Sequence, residues 1–224
     1  MREIFKTSTP EEAVALSAKA TYLQGGTEVL RLGSSFENDS IIDLNSFISR
    51  DVKKVGDKLV IGAGATFQSL IENDLVPAWL KDALRGMASY QLRSMATIGG
   101  NIALKRDDSF LIPALVAAGA ELKAHSVENK EHTVAISEYI KGSCKCILLE
   151  VIIPLDAEVK CRRISLSSHM HAVLTAAVGT NGECYAIKGT GIVRDLEGLE
   201  FTQDFYGSPE YKKYIAETIR EELR

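Results

Sequence analysis

Two short stretches, QGGTE at 24–28 and TIGGN at 97–101, carry the residue types best suited to chemistry. Each sets adjacent glycines after apolar residues, so consecutive peptide N–H groups stand unshielded by any Cβ. Such groups are what a phosphate or diphosphate requires of a backbone. The first stretch leads into what reads as a short helix, whose N-terminal end favours an anion. Neither follows the common nucleotide fingerprints: no lysine-serine pair comes after a glycine run, and no G-x-G-x-x-G after a first strand. GAGATF at 62–67 lacks the third glycine and reads as a strand end. A lone Gly-Gly pair usually makes only a tight turn; two of them together point to a ligand.

Other chemistry has thinner support. His169 and His171, two apart, would share one face of a strand, and Cys144-x-Cys146 has a similar spacing, but neither pair has a third ligand nearby in sequence. The histidines read as solvent-facing or hydrogen-bonded residues. The four cysteines, at 144, 146, 161 and 184, follow neither a disulfide scaffold nor an iron–sulfur ligand run, so reduced thiols are expected and any cluster would belong to another chain. No G-x-S-x-G elbow is present. Tyr22, before the first glycine turn, reads as core packing. No catalytic acid or base and no metal site is expected.

The 224 residues, 46% hydrophobic and 25% charged, suit a folded chain with a real core. A net charge of −4 with scattered lysines and arginines argues against nucleic acid as a partner. The longest apolar stretches fall short of the roughly 20 residues of a membrane span, and MREIFKTSTPEE has no signal-peptide core. A cytoplasmic protein is expected, away from the membrane.

The elements that must position the glycines alternate between strand and helix. EIFK reads as a strand, and Thr9, Pro10 and Glu12 as the cap of a helix over EEAVALSAKA. TYL leads into the first glycine turn, then a short helix ended by Gly33, then the strand SIIDL. A hairpin turning at Gly56-Asp57, a helix FQSLIEN capped by Thr66, and a helix opened by Pro77 follow. IPALVAAGAEL reads as a helix stopped by Gly119 and running into a strand, and CILLEVIIP as a buried strand. Beyond it, Asn181-Gly182 marks a hairpin, and Ser208-Pro209 starts a last helix with Tyr211, Ile215 and Ile219 on one face.

The segment LQGGTEVL resembles the A-G-G-T-D-L-L segment, and LRSMATIGGNIA the I-R-N-x-A-T-I-G-G-N-I segment, of the FAD-binding subunits or domains of molybdenum hydroxylases. That family includes the xanthine dehydrogenases and the medium subunit of aerobic carbon monoxide dehydrogenase. The resemblance covers residues 1–155, and HAVLTAAVG resembles the start of the family's C-terminal domain. It implies an α+β fold: a two-lobed FAD-binding domain of the PCMH type, with lobes at about 1–50 and 51–155, then a small α/β C-terminal domain of the carbon monoxide dehydrogenase flavoprotein type over 160–224. It implies FAD, with Gln24, Gly25, Gly26, Thr27, Glu28 and Val29 wrapped on the diphosphate through main-chain amides and the Thr27 hydroxyl, and Leu23 leading in. Thr97, Ile98, Gly99, Gly100 and Asn101 would form a second clamp, Leu148 would lie against the isoalloxazine, and Arg162 or Arg163 would stand where the family often has a lysine. The implied partners are an iron–sulfur subunit and a large molybdopterin subunit, with NAD⁺ or another molecule as electron acceptor. Where the family commonly has an aspartate nine residues after the asparagine, this chain has Phe110, with Asp107 and Asp108 just upstream, and Arg93-Ser94 stands for R-N. Phe110 and the short C-terminal part motivate a second implication, a cofactor-free scaffold or assembly subunit that keeps the fold.

Overall fold

The computed structural model describes residues 3–31, 40–143, 145–167 and 170–224. Three sheets organise it. The first is parallel and small: β1 (Ile4–Lys6), β2 (Thr21–Leu23) and β3 (Ile41–Asp43), in the order β1-β3-β2, with α1 (Pro10–Ala15) crossing over. Thr9 caps α1 as its type and the following proline require, accepting the Glu12 amide at 3.3 Å, while the Glu12 carboxylate reaches back to the Ser8 amide at 2.7 Å. The helix is shorter than the pattern of EEAVALSAKA suggests, because after Ala15 the chain tightens into turns. Residues 27–30 form a single turn, with the Leu30 amide donating to the Gly26 carbonyl at 3.0 Å, in place of the expected short helix; Gly33 lies outside the described residues.

The second sheet is antiparallel, β4 (Val52–Val55), β5 (Lys58–Gly62), β6 (Glu121–His125), β7 (Glu131–Ala135) and β8 (Ile147–Pro154), in the order β4-β5-β8-β6-β7. Between β5 and β6 run five short helices: α2 (Phe67–Glu72), α3 (Ala78–Arg85), α4 (Tyr90–Arg93), α5 (Ile98–Ala103) and α6 (Ile112–Ala117). Thr66 caps α2, Gly119 (φ +72°) closes the turn after α6, and α7 (Ile136–Tyr139) leads toward β8. The first two sheets and these helices share one core, in which Ile42, Ile61, Leu80, Ile98, Leu115 and Val151 are buried together.

The third sheet, β9 (Val159–Ser165), β10 (Ala172–Gly179), β11 (Gly182–Ile187) and β12 (Gly191–Val193), is antiparallel in the order β12-β11-β10-β9 and is covered by α8 (Pro209–Leu223). Its hairpin turns on Thr180-Asn181, one residue earlier than the sequence signal, with Gly182 at φ +98° opening β11. That turn docks on α6: the Asn181 amide donates to the Ala117 carbonyl at 2.8 Å and its side chain to the Val116 carbonyl at 3.1 Å. Trp79, the single tryptophan, packs at the same junction and donates to the Ala157 carbonyl at 3.0 Å.

Ile215 and Ile219 are buried under the third sheet as their spacing predicts, and Tyr211 lies at the rim, 39% exposed. Lys212 beside it is fully buried. Its ammonium donates to the carbonyls of Lys188 (2.7 Å) and Thr202 (2.9 Å) and pairs with Asp204 at 2.9 Å, tying α8 to the connection after β11. Lys212→Met keeps the stem and removes three charge-assisted bonds. A loss of about 2–3 kcal/mol is expected, read as a lower urea midpoint. An unchanged midpoint would mean this ammonium holds nothing.

Candidate functional site

The parallel sheet delivers the end of β2 straight into the first glycine stretch. Gly25 there lies against the backbone of Met95 and Ala96: a Cβ on Gly25 would overlap the Met95 carbonyl oxygen and stand 3.1 Å from its carbon. The second stretch begins two residues later. TIGGN is the start of α5, not a free turn, because Thr97 caps the helix by accepting the Gly100 amide at 3.2 Å. Gly99 is as constrained as Gly25, since a Cβ there would lie 2.6 Å from that of Ala63 and 2.9 Å from the Ala63 carbonyl oxygen. Thr97 Oγ1 also reaches Gln24 Oε1 at 3.4 Å, joining the two stretches directly.

Their amides differ in what they have left to give. Ile98 donates to the Ala65 carbonyl (3.0 Å), Gly99 to the Ala63 carbonyl (2.9 Å), Gly100 to Thr97 Oγ1 (3.2 Å) and Asn101 to the Thr97 carbonyl (3.0 Å). Every N–H of the second stretch from 98 to 101 is therefore committed. Among the described residues, the N–H groups of Gly25, Gly26, Thr27 and Glu28 have no acceptor. The buried side-chain atoms Gln24 Nε2 and Asn101 Oδ1 also lack partners there. Half-buried, unpaired donors cost free energy unless a ligand or water takes them.

Both stretches face one cavity of about 1090 Å³. Gln24, Gly25, Gly26, Thr27, Glu28, Val29, Thr97, Gly99, Gly100, Asn101 and Leu148 line it. Three of the residues implied by sequence do not. Leu23 ends β2 half-buried and outside the lining, its Cδ1 3.5 Å from where a Cβ on Gly26 would stand, and Ile98 is wholly buried in the core. Arg162 is exposed on the other face of β9, because strand alternation sends neighbouring side chains to opposite sides; its neighbour Arg163 lines the cavity instead. Arg163 donates to the Gly86 carbonyl at 2.8 Å and stands 5.1 Å over the ring of Phe110, which also lines the wall and fills the space beside Gly86.

Among the described residues the lining holds six cations, Arg31, Arg85, Lys105, Arg106, Lys145 and Arg163, against two carboxylates, Glu28 and Asp108. The chain as a whole carries −4, so positive charge is concentrated here. Asp108, its side chain 3% exposed, takes Arg106 on both oxygens at 2.7 and 2.8 Å, Lys188 at 3.2 Å and His171 Nδ1 at 3.3 Å. Burial by itself would raise the Asp108 pKa; the hydrogen bonds and charge of Arg106, with Lys188, outweigh it and hold the carboxyl at about 2. The Arg106 guanidinium is raised in turn, first by its bond to Asp108. The sequence reading missed Arg106, although the run LKRDD just after α5 contained the signal.

His171 Nδ1 thus lies 3.3 Å from Asp108 Oδ2, and His169 and Cys144 lie outside the described residues. Among the described residues no group of three or more histidine, cysteine, aspartate or glutamate side chains is placed to hold a metal ion, and no helix is long and apolar enough to cross a membrane. Burial pushes the Cys161 and Cys184 thiols up to about 12, which leaves them unreactive.

A cation-rich cavity of this size, walled by two glycine stretches at the end of a small parallel sheet, suits a large phosphate-bearing ligand. The chain belongs to the family of the FAD binding domain in molybdopterin dehydrogenase, which residues 1–156 match. The uncharacterized protein YgfM of Escherichia coli (strain K12) is 29% identical over 251 aligned residues, covering 100% of this chain and 95% of that protein. Aldehyde oxidase 4 of Cavia porcellus is 28% identical over 138 residues, 57% of this chain and 10% of that protein. The fold is shared with a carbon monoxide dehydrogenase from Hydrogenophaga pseudoflava (TM-score 0.86, 20% identity, 99% of this chain and 95% of that one). It is shared equally with quinoline 2-oxidoreductase from Pseudomonas putida 86 (TM-score 0.85, 17% identity, 100% and 95%). The cofactor is FAD. The residues present fit it: four unpaired amides and a surplus of cations suit a diphosphate, and the orphaned Gln24 and Asn101 atoms suit a polar ligand.

Proposed function

We propose that this chain is the flavin-carrying subunit of a molybdenum-hydroxylase-type complex, passing electrons from an iron–sulfur partner to NAD⁺ or another acceptor, with a large molybdopterin subunit as the third component. The single observation that supports it best is the row of unpaired N–H groups from Gly25 to Glu28 on a cation-rich cavity. FAD, when bound, supplies the electron-transfer chemistry, accepting electrons singly or in pairs.

The chain's own residues bind and orient. The Gly25–Glu28 amides and the Thr27 hydroxyl hold the diphosphate. Thr97 and Gln24 fix the spacing between the two glycine stretches, and the Asn101 carboxamide is free to meet a polar group of the ligand. Leu148, 6% exposed, offers an apolar surface for the flavin ring. No side chain need donate or abstract a proton, and Gly99 acts here by shape: it lets α5 approach Ala63 closely enough to form the cavity wall.

The test is to purify the chain, release any bound ligand, add FAD and record absorption and flavin fluorescence. Stoichiometric flavin uptake is expected, together with co-purification of a cluster-containing partner from the native host. A well-folded chain that takes up no FAD would overturn the proposal.

A further inference from the structure

Resting on the FAD reading, we infer that Arg106 is the side-chain cation of the diphosphate site, aimed by Asp108 and braced by Lys188 from the third sheet. Arg106 belongs to neither glycine stretch; it sits in the α5–α6 connection and lines the cavity. Two of its three nitrogens, Nε and Nη2, are taken by the two oxygens of Asp108 at 2.7 and 2.8 Å, a fork that fixes the guanidinium plane. The remaining nitrogen, Nη1, faces Glu28 of the first glycine stretch at 3.6 Å, beyond hydrogen-bond length. Glu28 has a better partner in Arg31, at 2.7 Å. Arg106 Nη1 is thus a held donor on a residue that shares the cavity lining with the unpaired Gly25–Glu28 amides, with, among the described residues, only a loose ion pair for an anion to displace.

The brace is long-range. Lys188 bonds Asp107 at 2.7 Å and Asp108 at 3.2 Å, and the Gly189 amide bonds Asp107 at 2.8 Å. A chain of charge-assisted bonds therefore runs from the third sheet through Asp108 to Arg106. In this chain the acidic pair stands just upstream of Phe110, Asp108 on Arg106 and Lys188 and Asp107 on Lys188. Asp108 thereby acts on the cofactor indirectly, through the arginine it aims, and Asp107 through the lysine it holds.

The experiment measures FAD and riboflavin dissociation constants by flavin fluorescence, over a range of salt concentrations, for wild type, R106Q, R106K and D108N, with thermal unfolding as a check on folding. Losing one charge-assisted contact to the diphosphate, R106Q is expected to bind FAD about tenfold to a hundredfold more weakly, with a shallower salt dependence. Its affinity for riboflavin, which has no phosphate, stays within about twofold. R106K recovers part of the loss, and D108N reproduces the R106Q pattern at smaller size. The inference is overturned if R106Q binds FAD as wild type does, or if FAD and riboflavin weaken equally with the salt dependence unchanged. Wild type that binds no FAD overturns the flavin reading itself, which separates the two failures.

Discussion

Gly25→Ala eliminates measurable FAD binding while leaving a folded protein of reduced stability. The added Cβ would overlap the Met95 carbonyl oxygen and crowd Ala96 Cα at 3.3 Å, and both neighbours are backbone. No rotamer change relieves such a clash. The two glycine stretches must separate, and a site organised to within about 0.5 Å loses its function when its walls shift by more than that. Overpacking of this kind costs about 1–3 kcal/mol of stability, and the affinity for FAD falls by at least about a hundredfold. Gly56→Ala is the control: Gly56 has φ +60° in an exposed hairpin turn with no atom within 4 Å of an added Cβ. It costs about 1 kcal/mol of backbone strain and leaves FAD affinity alone. A titration in which the Gly25 variant binds as tightly as the Gly56 variant contradicts the packing argument.

Asp108→Ala is the largest expected stability loss from a side chain. The carboxylate is buried and receives Arg106 twice, Lys188 and His171. Removing one partner of a buried pair costs about 3–5 kcal/mol; Lys188 keeps Asp107 at 2.7 Å and Arg106 is 30% exposed, so the lower end applies. The pH dependence has a definite sign. The folded-state pKa of about 2 lies below the ordinary 3.8, so the stabilisation is complete above 3.8 and is lost as pH falls toward about 2. That interval corresponds to about 2 kcal/mol. Urea midpoints of wild type and variant should differ most near neutral pH and converge in acid. A gap that stays constant down to pH 2 would locate the effect in packing instead of charge.

Local signals carried much of the fold. Thr9, Thr66 and Ser208 each cap the helix that follows, because a cap needs only a hydroxyl and the next three residues. The glycine pairs announced a backbone demand, but what excludes a side chain at Gly25 is a carbonyl seventy residues away, which no local pattern contains. TIGGN misled for a similar reason. Two glycines disfavour a helix by about 2 kcal/mol, so propensity reads a turn, yet the Thr97 cap and the bonds to Ala63 and Ala65 hold α5 together. The choice between Arg162 and Arg163 depended on strand parity, where one residue reverses the face. Arg106 acquires its role only through Asp108 and Lys188, a pairing across some eighty residues.

On the proposed reading, the first glycine stretch grips the cofactor through its free amides while the second only shapes the wall. Amide hydrogen exchange, followed residue by residue by NMR with and without FAD, tests it most directly. Fast exchange is expected at Gly25, Gly26, Thr27 and Glu28, becoming strongly protected when FAD is added, against protection at Ile98, Gly99 and Gly100 that is already present without it. No gain of protection at Gly25–Glu28 in a chain saturated with FAD would contradict it.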